Sequence, residues 1–150
     1  MRLAVLAALV ALIVSGCGEE QPSTSAAPGA ADREQTRDEI ERVWTDVLDA
    51  LRAADGERLC RHATAKYARE LIAAAGGATC AEAARKTASL LGDASPADAT
   101  PRYSRFSTKG DRATIHVALP TDDGPLRNVV QFRFVDGRWN VDRDSGLSAQ

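Results

Sequence analysis

Residues 129–142 read VVQFRFVDGRWNVD, two runs of alternating apolar and polar side chains joined at Asp136-Gly137. An Asp-Gly pair between such runs is the strongest short-range hairpin signal, because a tight two-residue turn needs positive φ at both positions. With these two residues as the whole loop, Val135 pairs with Arg138, Phe134 with Trp139 and Phe132 with Val141. Val130, Phe132, Phe134, Trp139 and Val141 then share one apolar face, which is the register expected when one side of a sheet is buried.

Upstream, RATIHVAL (112–119) alternates in the same way. Ala113, Ile115, Val117 and Leu119 fall on one side, and Arg112, Thr114, His116 and Ala118 on the other. Gly110 marks a turn from YSRFSTK (103–109), which puts Phe106 on the Ile115 face, and Pro120 to Pro125 marks another. These segments predict an antiparallel four-stranded meander whose outer face, with Arg112, Thr114, His116, Arg133, Arg138 and Asn140, is solvated. Charged residues are depleted at the centres of stable interfaces, so a monomer is expected.

Before residue 100 the period changes from 2 to about 3.6. In residues 32–56, DREQTRDEIERVWTDVLDALRAADG, Ile40, Val43, Trp44, Val47, Leu48 and Leu51 form one apolar stripe and Asp55-Gly56 ends the helix. ERLCRHATAKYARELIAAAGG (57–77) continues as helix with a break near Thr64, an N-cap for the second piece, and stops at Gly76-Gly77. CAEAARKTASLLG (80–92) supplies a further helix, and Ala94 to Pro101 a loop. Helices first and strands last predict an α+β layer arrangement.

The N-terminus is of another kind. Leu3 to Val14 is an apolar run behind Arg2, and a helix of about 12 residues rises roughly 18 Å, short of the roughly 30 Å hydrocarbon core. Such a run ending in small residues reads as a secretory signal. Val14-Ser15-Gly16-Cys17 resembles the lipobox of bacterial lipoproteins, in which the cysteine is lipidated and becomes the mature N-terminus. That resemblance implies a signal peptide over 1–16 and a lipid-anchored tether over 17–32, rich in Gly, Glu, Gln, Pro, Ser, Thr and Ala. One domain over 33–145 follows, on the extracytoplasmic face of the cell membrane. With Cys17 lipidated, the other two cysteines, Cys60 and Cys80, form an even pair in a compartment where disulfides persist, and a bond between them is expected.

Three helical segments, a helix-ending Asp55-Gly56, a meander and a closing hairpin FRFVDGRWNVD resemble the nuclear transport factor 2-like superfamily, its small exported lipoproteins in particular. The resemblance spans roughly residues 35 to 143. It implies N-terminal helices packed on a curved four-stranded sheet that forms a cone, and the superfamily hosts enzymes, binding proteins and scaffolds alike, so the fold alone implies no function.

Enzymes of that superfamily use an Asp, His or Tyr pointing into the cone, where burial tunes its pKa. The inward strand positions readable here are Phe106, Ala113, Ile115, Val117, Leu119, Val130, Phe132, Phe134, Trp139 and Val141, none of which moves a proton. His116 falls on the opposite face, His62 lies on a helix beside Cys60, and Tyr67 is the one polar-tipped aromatic within reach of a cavity. No catalytic residue is assigned, no cofactor is expected, and two separated histidines with no cysteines at ligand spacing argue against zinc. The formal net charge of -2 is spread along the chain, and no basic patch or stripe of the kind nucleic acid requires is visible. The expectation is a non-catalytic domain that binds a small apolar ligand, on a lining of Trp44, Tyr67, Phe132 and Trp139, or a protein of the cell envelope. A cone-pocket isomerase, dehydratase or hydrolase and a structural accessory domain are the alternatives.

Overall fold

The computed structural model describes residues 30–91, 100–121 and 124–146. The signal run, Cys17 and the tether up to residue 29 lie outside the described residues, as do 92–99, which take in 94–99 of the expected loop, and 122–123 of the third turn. Four helices, α1 (Ala30–Arg52), α2 (Gly56–Arg61), α3 (Ala65–Ala75) and α4 (Cys80–Leu91), precede four strands, β1 (Arg102–Lys109), β2 (Arg112–Leu119), β3 (Leu126–Val135) and β4 (Arg138–Asp144). All strand pairs are antiparallel, in the order β1-β2-β3-β4. The fold is α+β, as expected.

α1 begins at Ala30, three residues before the boundary expected at 33. Its stripe buries Ile40, Trp44, Val47 and Leu48, with Val43 and Leu51 partly covered. Asp55 caps α2 by accepting the Arg58 N–H at 2.9 Å. A Cβ on Gly56 would lie 2.0 Å from the Ala81 carbonyl oxygen, so this glycine lets α2 and α4 meet backbone to backbone.

The helix does break at Thr64, whose hydroxyl accepts the Tyr67 N–H at 3.1 Å. The break has a purpose beyond capping. Val141 N–H donates to the His62 carbonyl at 2.7 Å and Thr64 N–H donates to the Val141 carbonyl at 2.9 Å, so the α2–α3 junction covers the outer edge of β4. Thr64 also bonds the Asp142 carboxylate at 2.9 Å.

The β3–β4 hairpin pairs Val135 with Arg138, Phe134 with Trp139 and Phe132 with Val141, and its turn holds Asp136 and Gly137 at φ 52° and 76°. β2 alternates between buried and partly covered or exposed positions along its length. Three expectations need correction. Phe134 shares the inner face and stacks edge-on with Trp139 at 5.2 Å, but it sits one pair from the turn, beyond the buried cluster, and is 43 % exposed. Asn140, expected in solvent, is buried, and its amide is satisfied locally by donating to the Arg138 carbonyl at 3.1 Å. Phe106 is only partly buried: β1 shifts register between Ser104 and Ser107, with Arg105 at φ 49°.

A second irregularity matters more. On β4, Phe132 pairs with Val141 but Gln131 pairs with Arg143, which leaves Asp142 as an extra residue in the ladder. Every β4 residue past it changes face, and Asp144 arrives opposite Val130 on the inner side.

Candidate functional site

The disulfide is present: Cys60 and Cys80 bond with their Cα atoms 6.1 Å apart, tying α2 to α4. Cys17 lies outside the described residues.

Trp44, Tyr67, Phe132 and Trp139 are brought together, but inside the core cluster, at 1, 3, 1 and 8 % exposure. Trp44 and Phe132 meet edge to face at 6.4 Å. The Trp44 indole N–H has no hydrogen-bond partner, alone among the buried side-chain donors and acceptors of the described residues. Burial, aided by the negative charges of Asp144 and Glu70, pushes the Tyr67 hydroxyl well above its ordinary pKa.

The inner face is not free of acids, contrary to the alternation read from the sequence. The β4 bulge turns Asp144 inward, where it is 5 % exposed. Burial raises its pKa to about 6, against the pull of the Gly146 N–H that it accepts at 2.9 Å. Its negative charge in turn helps to raise the pKa of the buried Tyr67 hydroxyl, so the inner side holds an acid and a phenol that act on one another electrostatically.

The accessible relief lies elsewhere. An open depression of about 520 Å³ runs between α1 and β1, lined by Asp38, Glu41, Arg42, Thr45, Asp46, Asp49 and Tyr103. Tyr103, paired with Val117 and therefore inward-facing, brings its hydroxyl to 2.8 Å from that of Thr45 and donates to the Glu41 carbonyl at 3.4 Å. Partial burial raises its pKa, and the Thr45 bond opposes this.

At one end of the depression Asp46 bonds Arg58, whose Nε lies 3.0 Å away, and His62, whose Nε2 lies 2.5 Å away. The Arg58 hydrogen bond is the main cause of its lowered pKa. This triad pins α1 to α2 and occupies His62 structurally. Among the described residues no three His, Cys, Asp or Glu side chains come together as metal ligands, and no described helix is long and apolar enough to cross a membrane.

Sequence reasoning missed Asp144, Tyr103 and the Asp46–Arg58–His62 contact. Only the last had a signal, since Asp46 lies on the side of α1 away from its apolar stripe and the helix that follows carries both bases. No family model matches this chain, and no curated protein does. Among solved structures it is similar to one described as "Crystal structure of a de novo designed protein with curved beta-sheet", at 18% identity and a TM-score of 0.45, over 71% of this chain and 96% of that one.

Proposed function

We propose that this chain is a lipid-anchored, extracytoplasmic protein whose nuclear transport factor 2-like domain works as a monomer by binding an envelope protein at its surface. The observation that carries the location is the Cys60–Cys80 disulfide. It consumes two of the three cysteines and leaves Cys17, the residue of the lipobox-like quartet, as the third. Disulfides persist in oxidising compartments. The burial of Trp44, Tyr67, Phe132 and Trp139 in one cluster favours a surface partner over an apolar guest in the cone. The test is the native chain against Cys17→Ser: the acyl mass is lost in the variant, and with it the membrane association that survives a high-salt wash, and a variant of unchanged mass that resists the same wash overturns the reading. A retained apolar molecule in the purified protein, seen by mass spectrometry, would return the cone to use as a ligand site.

Asp144 favours one second reading, a cone-pocket enzyme with this carboxyl as general base. Such a base must be reachable by substrate. A water-soluble carbodiimide that modifies Asp144 in the folded protein supports the enzyme; protection until unfolding removes it.

A further inference from the structure

The outward face of the sheet carries a charge pattern that packing does not explain. Arg102 and Lys109 on β1, Arg112 on β2, Arg127 and Arg133 on β3, and Arg138 and Arg143 on β4 all point away from the helices, and all are exposed. No Asp or Glu shares those outward pairing positions. The whole chain has a formal net charge of -2, so this is segregation and not excess.

The register places Lys109 beside Arg112, and Arg112 beside Arg133. Strands lie about 4.8 Å apart, and like charges directly opposite one another oppose pairing. Asp111 relieves Arg133 at 3.0 Å, and none of the other six cations is in an ion pair among the described residues. Arg102 and Arg127 flank Ala118 at the other end of the sheet, about 20 Å away along β2. Of the large exposed apolar side chains, Val135, 38 % exposed at the hairpin tip, shares this face, paired with Arg138.

We propose that this face docks on the anionic headgroups of a phospholipid membrane, with its cations on the phosphates and Val135, outward beside Arg138 at the hairpin tip, entering the headgroup layer. In one respect this rests on the anchored reading: a lipidated Cys17 on the same chain makes contact with the bilayer an intramolecular event. Each Lys or Arg near an anionic surface strengthens attraction about fivefold. The carboxylates of Asp38, Glu41, Asp46 and Asp49 belong to the helical side, and the same surface repels them, so the depression they line faces away and stays open to a partner. Single-stranded nucleic acid is disfavoured because its binding surfaces stack bases on aromatic rings, and no Phe, Tyr or Trp occupies an outward pairing position of this sheet.

The test uses the chain from residue 17 onward with Cys17→Ser, so that no acyl group contributes. It should sediment with vesicles containing phosphatidylglycerol, not with phosphatidylcholine alone, and release as salt rises. Arg112→Glu with Arg133→Glu should weaken binding at least about tenfold, while Arg69→Glu with Arg85→Glu on the helices, the same change in net charge, should alter it by less than about twofold. Arg102→Gln with Arg127→Gln gives the same answer should the first pair disturb folding, which circular dichroism reports. Equal binding to neutral vesicles, equal loss in the helical variant, tighter retention of an oligonucleotide, or a dimer that occludes the face would each overturn the proposal. The anchored reading is judged apart from it: protein with no acyl mass at Cys17 that still binds phosphatidylglycerol overturns that reading alone.

Discussion

The inner face of β2 buries Ala113, Ile115, Val117 and Leu119, while the outer face of the same eight residues leaves Arg112 exposed and Thr114, His116 and Ala118 half-covered. Both faces share one backbone ladder, so hydrogen bonding cannot distinguish them. What differs is the medium each side chain meets. The inner face carries the packing and tolerates no change of volume, whereas the outer face is free to collect charge at little loss of stability. The basic outer surface and the α1 carboxylates are therefore properties of where residues point, in a chain whose net charge is close to zero.

The largest contrast is expected at Phe132, fully buried and packed edge-on against Trp44. Phe132→Ala removes most of a core ring and should cost about 3–5 kcal/mol, read as a drop in the urea midpoint at unchanged slope. An outer-face Gln131→Ala, one residue away, should lie within about 0.5 kcal/mol. Comparable losses at both positions would mean that the two faces are not distinct.

Asp144 is the exception that sharpens the comparison, a charge-bearing group on the apolar side. Its folded pKa, about 6, stands above the ordinary 3.8, so between those values the native state holds more protons than the unfolded chain. Stability contributed by this group is present below about pH 4 and falls as pH rises through 6, by on the order of 3 kcal/mol. Asp46 and Glu82, whose pKa values are lowered, act in the opposite sense and lose their contribution as the medium turns acid. The difference between the native chain and Asp144→Asn across pH 4 to 7 isolates Asp144: the variant should gain relative stability as pH rises. Parallel curves would show that the carboxyl is not buried ionised.

How much of this was legible follows from what alternation can and cannot encode. The helix stripe from Ile40 to Leu51, the Thr64 cap, the Asp136-Gly137 turn and the pairing of Phe132 with Val141 rest on local rules, and each stands as read. Asp144 was illegible because strict alternation from Trp139 through Val141 sends residue 144 outward, and the extra residue at Asp142 is stabilised by Thr64 and Lys66, about seventy-five residues earlier. Tyr103 was lost to the β1 irregularity at Arg105. The basic face escaped for another reason. Its cations are scattered one or two to a strand, and only the register gathers them.

A single residue type placed on each face gives the smallest and cleanest comparison. Val117→Thr keeps the shape of a fully buried side chain but puts a hydroxyl into the core cluster, between its strand partners Tyr103 and Asn128, at a cost of about 1–3 kcal/mol. Arg112→Thr removes the middle member of the row Lys109, Arg112 and Arg133 and replaces it with a good strand former. It relieves two like-charge contacts, each worth a few tenths of a kcal/mol at these separations. The variant should therefore unfold at slightly higher urea in low salt, and the gain should shrink as added salt shortens the screening length. A gain that persists in high salt would assign the effect to strand propensity, and a loss would mean that Arg112 is held by a partner its neighbours do not supply.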